Sequence, residues 1–164
     1  MIVVSDTSAL SALFLIQRID ILPALYGQVI VPPSVMRELL KLETQFGKDL
    51  SELKSASWLT ITSVTDVALF QKYRRVLDEG ESEALTLMHE MSADLLLIDE
   101  MLGRKIAQME GIAHTGVLGV LLSAKAKGLL DFIRPALHDL TSMAGFRISN
   151  ALYERVLRQA GEIL

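Results

Sequence analysis

Residues 1–10 read MIVVSDTSAL: an apolar run of strand length that closes on one carboxylate, Asp6, set among Ser5, Thr7 and Ser8. An acid in that position has two uses. It can cap the helix that follows, accepting from the free N–H groups of the first turn, or it can point into a reaction site at the end of the strand. The second use requires further acids delivered to the same place by other segments.

Working outward, short apolar runs alternate with longer stretches of helical period, which is the pattern of an α/β domain around a mostly parallel sheet of four to five strands. The expected strands are MIVVS (1–5), QVIVP (28–32), WLTIT (58–62), DLLLID (94–99) and the brief GIAHT (111–115). Pro32 and Pro33 end the second strand, and Ser34 is placed to cap a helix through MRELLKLE. Asp66 is the expected cap of the next helix, and DEGE (78–81) marks the break before SEALTLMHEM. From Arg147 to Leu164, Ile148, Leu152, Val156, Leu157 and Ala160 recur at helical spacing and predict a final amphipathic helix.

The chain of 164 residues fits a single domain over 1–164, and a domain of that size buries roughly 70% of the surface of its unfolded chain. Cysteine is absent, which excludes disulfides and thiolate metal sites and suits the cytoplasm. The longest apolar run considered, ALFLI (12–16), is far short of the roughly 20 residues of a membrane span. The first cation is Arg18, so the N-terminus has no basic region of a secretory signal. The net charge of −4 argues against a surface devoted wholly to nucleic acid. It is also what a protein that gathers carboxylates around cations shows, because the cations are missing from the sum.

In an open parallel sheet, ligands bind beyond the carboxyl ends of the strands. Asp6 follows the first strand and Asp99 closes the fourth, so both fall on one edge. Glu38 lies one turn into the helix after strand two and leans back toward that edge. Glu83 lies in the first turns of the helix around GESEAL; Glu81, two residues earlier, does not share its face, so one of the pair reaches the site. Crowded carboxylates without matching bases call for a divalent cation. All-oxygen ligands select Mg2+ or Mn2+. Two such ions about 4 Å apart activate a water and stabilise the leaving oxygen of a phosphodiester, which is hydrolytic nuclease chemistry.

With these residues in place the chain resembles the PIN-domain nucleases, and among them the toxin-like branch with a C-terminal extension, here about residues 130–164. The matching blocks are VVSDTSAL, VIVPPSVMREL, LDEGESEALTL, DLLLIDEMLGRKIAQMEGI, TGVLGVLLSAKAKGLL and GFRISNALYERVLRQAGE, in the family's order across almost the whole chain. The resemblance implies a three-layer α/β/α domain that binds Mg2+ or Mn2+ and cuts RNA. It puts the four metal-binding, catalytic acids at Asp6, Glu38, Glu83 and Asp99, with Glu100 as a secondary neighbour of Asp99 and Ser8 and Thr115 as supporting hydroxyls. It also implies an antitoxin protein as inhibitor and a homodimer.

Other features carry less. Arg104 in GRK follows Asp99 closely and is placed for a substrate phosphate. Lys125 and Lys127, before Gly128, read as the solvated end of a helix whose dipole they complement. Gly116 and Gly119 in TGVLGVLL lack the dinucleotide fingerprint and read as aids to close helix packing. His114 stands beside the site edge, while His89 and His138 read as incidental. Two other function classes compete. An aspartyl-phosphate phosphatase or receiver is disfavoured because Ser8 stands where a phosphatase motif has its second acid and no lysine follows GIAHT. A non-catalytic RNA- or protein-binding module is disfavoured by the full acid set.

Overall fold

The structure is a computed structural model that describes residues 1–164. Its strands are β1 (Val3–Ser5), β2 (Val29–Val31), β3 (Leu59–Ile61), β4 (Leu95–Leu97) and β5 (His114–Thr115). They form one sheet, parallel throughout, in the order β3-β2-β1-β4-β5. Each lies inside a run expected from sequence and is shorter than it. In register, Val3, Val4 and Ser5 stand beside Leu95, Leu96 and Leu97, so successive residues face opposite sides of the sheet.

That alternation separates two apolar cores. Val3, Val31 and Leu97 face a cluster shared with helices α1 (Thr7–Leu15), α2 (Ile21–Tyr26), α3 (Pro33–Phe46), α4 (Ser51–Lys54), α8 (Val117–Ala126), α9 (Arg134–Ser142) and α10 (Asn150–Gln159). Val4, Leu96 and Ile98 face a second cluster with α5 (Val67–Arg74), α6 (Glu79–Glu90) and α7 (Met101–Met109). The sheet is therefore buried on both faces, as a parallel sheet requires, and the architecture is the three-layer α/β/α arrangement. No helix is long and apolar enough to cross a membrane.

Because β1 is the central strand, with β2 on one side and β4 on the other, the chain winds away from it in both directions. The crevice at this reversal lies between the carboxyl ends of β1 and β4, which is where open α/β sheets take their ligands. Asp6 and Asp99 follow those two ends.

Local expectations fare differently. Asp66 caps α5, accepting from Leu69 N–H at 2.9 Å. Ser34 does not cap α3: Pro32 holds the cap position and Pro33 begins the helix, which puts Ser34 inside the first turn, where its own N–H needs an acceptor. Lys125 is not solvated but donates to Glu162 at 2.9 Å and to the Asp131 carbonyl at 3.1 Å. Glu162 also accepts from Ile133 N–H at 2.5 Å and Arg134 N–H at 3.2 Å. This fastens the end of the chain to the start of α9. The final helix is shorter than the expected 147–164: Ser149 caps it, accepting from Leu152 N–H at 3.2 Å, and Gly161 at φ 70° stands just beyond its end.

Leu157 of α10 is 1% exposed in the same cluster as α1 and α8. Leu157→Ala is therefore expected to lower global stability by about 2–5 kcal/mol, seen in urea denaturation as a shift of one cooperative transition. A separate low-urea transition involving α10 alone, with the main midpoint unmoved, would contradict a single cooperative unit.

Candidate metal centre

Asp6 caps the helix that follows and also lines a cleft at the end of its strand. It is the N-cap of α1, accepting from Ser8 N–H at 3.1 Å and from the Ser8 hydroxyl at 2.8 Å. Its own N–H donates to the Leu97 carbonyl at 3.0 Å, which ties the end of β1 to the end of β4. The side chain is 2% exposed. Burial raises its pKa to about 8, and the charges of Asp99 and Glu81 add to the rise against the opposing hydrogen bonds from Ser8 and Ala9.

The cleft over Asp6 has a volume of about 180 Å3 and is lined by Asp6, Thr7, Ser8, Glu38, Asp78, Glu81 and Glu100. Every lining side chain carries oxygen, five of the seven are carboxylates, and none is apolar or basic. Asp78 caps α6, accepting from Glu81 N–H at 2.8 Å. Glu81 is buried, and that burial, followed by the charge of Asp78, raises its pKa to about 7, with Glu100 and Glu38 contributing.

The expected third acid, Glu83, is elsewhere. Its carboxylate accepts from Ser34 N–H at 3.2 Å and from the Ser34 hydroxyl, so it closes the uncapped first turn of α3. The reason is helical geometry: residues two apart on α6 project to opposite sides, and Glu81 is the one that faces Asp6. The carboxylate of Glu83 is committed to a hydrogen bond within the chain. Those of Glu38, Glu81 and Glu100 have none, and no enclosed side-chain oxygen lacks a partner, so the oxygens of Glu81 open on the cleft.

Asp99 sits behind the cleft wall. Both its oxygens accept from Val117 N–H at 3.1 Å, at the N-terminus of α8, where the helix dipole favours an anion. Burial raises its pKa to about 6, while the Val117 N–H and the nearby Arg104 guanidinium hold it down. Gly116 makes this possible. A Cβ there would stand 2.2 Å from Asp99 Oδ1 and 3.0 Å from Arg104 Nη1, and one at Gly119 would stand 2.0 Å from Thr115 Oγ1. The two glycines make room for side chains at the site edge rather than for a neighbouring helix. His114 bonds the Ile112 carbonyl at 2.9 Å through Nδ1. His89 is not incidental: it joins Tyr73 and Glu110, each at 3.0 Å, remote from these acids.

Of the expected residues, the structure brings Asp6, Glu38 and Ser8 into one cleft; Asp99 is outside its lining but close enough for its charge to raise the pKa of Asp6, and Arg104 is near Asp99. Thr115 lines the adjoining groove with Arg104. Glu81 and Glu100 line the cleft, as does Asp78, whose signal in the sequence was only the break at DEGE. The donor chemistry suits a divalent cation: oxygen only, with Asp6 and Glu81 buried and with charges that repel unless protonated or neutralised. The carboxylates line the cleft without three of them converging on one ion-sized point.

A family model described as PIN domain matches residues 2–162. A search of the curated proteins returned no match to the chain.

Asp6, Glu81 and Asp99 have raised pKa values, about 8, 7 and 6, so the fold keeps protons that the unfolded chain releases near pH 4. Their contribution to stability is present below that pH and is lost as pH climbs through the folded values. Asp6→Asn, isosteric with the neutral acid, removes the largest of these losses. In EDTA its Tm is expected to gain on the wild type by several degrees between about pH 5 and about pH 8, levelling off above. A gap independent of pH in differential scanning calorimetry would contradict the burial of a protonated Asp6.

Proposed function

The chain belongs to the PIN-domain family, whose members are generally nucleases that work with divalent metal ions, and on that footing we propose that it is a metal-dependent endoribonuclease hydrolysing RNA phosphodiester bonds. The observation that carries this reading is the cleft between the ends of β1 and β4, with five carboxylates and no base. Asp6, Glu38, Glu81 and Asp99, with Glu100 beside them, are the residues that would hold Mg2+ or Mn2+. When bound, such an ion neutralises the scissile phosphate and lowers the pKa of water.

The chain's own groups do the positioning. Ser8 fixes the Asp6 carboxylate through two hydrogen bonds, and the Val117 N–H with Arg104 holds Asp99. Arg104, exposed at the rim, is suited to a non-bridging phosphate oxygen because a guanidinium matches phosphate in a two-point fork. The absence of apolar lining keeps the cleft open to the water that hydrolysis consumes. Restraint by an antitoxin protein and assembly as a homodimer belong to the same proposal and draw on the sequence resemblance alone.

End-labelled total RNA incubated with purified protein in Mg2+, Mn2+ or EDTA tests the reading. Discrete fragments are expected only with metal. Asp6→Asn and Glu81→Gln are expected to lower the cleavage rate on the order of a hundredfold or more. Glu83→Gln is expected to stay within a few-fold of wild type while lowering Tm, since it weakens a helix cap. Cleavage that survives in Asp6→Asn/Glu81→Gln, or that is lost in Glu83→Gln at unchanged stability, would overturn the assignment.

A further inference from the structure

Where Gly116 packs against Asp99, a groove of about 510 Å3 opens, lined from the β5–α8 junction and from α10. Its charge is the reverse of the cleft's: it is lined by Arg104 and Arg155 and by no acidic residue. Neither guanidinium is in an ion pair of the chain, although acids outnumber bases by 20 to 16. Leu118, Leu122, Leu152 and Val156 share the lining with Gln159, the last residue of α10.

We infer that this groove is the track for single-stranded RNA flanking the scissile bond, and that Arg155 and Gln159 of α10 are substrate-binding residues. Two guanidinium groups outside any close ion pair, sharing a groove with apolar side chains, suit a strand that alternates phosphates with bases and riboses. The groove reaches the surroundings of Asp99, because Gly116 and Arg104 both line it and a Cβ on Gly116 would stand 2.2 Å from Asp99 Oδ1. The C-terminal helix is in this way part of the substrate surface as well as of the core, where its opposite side buries Leu157.

This inference rests on the nuclease reading of the cleft, and its test separates the two. Binding of a fluorescein-labelled, unstructured single-stranded RNA is measured by anisotropy over a range of salt, in an Asp6→Asn background that spares the RNA. Neutralising one phosphate contact lowers the slope of log K against log salt by about 0.7 for a single strand. Arg155→Gln is expected to produce that drop, and Arg155→Lys to restore the slope. Arg158→Gln, on the same helix but outside the groove, is expected to leave it unchanged. With Asp6 intact, Arg155→Gln is expected to raise KM for cleavage several-fold with kcat little changed.

An unchanged slope in Arg155→Gln, or an equal drop in Arg158→Gln, overturns the inference. So does a labelled oligoglutamate peptide whose binding depends on Arg155 when that of RNA does not, which would assign the groove to an acidic protein partner. A slope drop without metal-dependent cleavage by the wild type would support the track and sink the nuclease reading. Cleavage abolished by Asp6→Asn with no effect of Arg155→Gln would do the opposite.

Discussion

A carboxylate buried at the end of the central strand is the constraint around which the rest of this molecule is arranged. Asp6 is tied by its backbone to β4 and by its side chain to the first turn of α1, so it cannot retreat to solvent without undoing the start of that helix. Burying an unpaired charge is expensive. Burial raises the pKa of Asp6 to about 8, which favours the protonated group, and Asp6 lines a cleft of oxygen donors. A cap that packing alone had chosen would have no such neighbours.

Acids in this region divide by what their oxygens already do. Glu83 and Asp99 spend theirs on helix N-termini, at Ser34 and Val117. Glu38, Glu81 and Glu100 keep theirs for the cleft. Asp99 caps α8 and yet raises the pKa of Asp6 through its charge. This dual engagement explains the bare Cα of Gly116, where any side chain would collide with Asp99. It also puts Arg104 beside Asp99, whose pKa its charge lowers, and in the lining of the neighbouring groove.

Much of this was legible in the sequence. Five short apolar runs located all five strands, and the rule that ligands sit beyond strand ends picked out Asp6 and Asp99 correctly as neighbours, because both follow from periodicity and topology. The choice between Glu81 and Glu83 was not legible. It depends on which face of α6 turns toward β1, and the residue that settles it, Ser34, lies 49 positions away from Glu83. Lys125 and Gly116 were misread for a related reason: each is explained by one tertiary partner, Glu162 or Asp99, that no local pattern discloses, whereas Gly119 answers to Thr115 one turn before it. The short extent of α10 likewise follows from Ser149 and Gly161 acting as stops within a longer apolar period.

On the proposed function, cleft protons and a divalent cation compete for the same carboxylates. Isothermal titration of Mn2+ into the protein near neutral pH, repeated in buffers of different ionisation enthalpy, reads that competition directly. The account requires binding accompanied by release of about one proton or more, with the release diminished in Asp6→Asn. Binding with no proton release, or no binding at all, would contradict it.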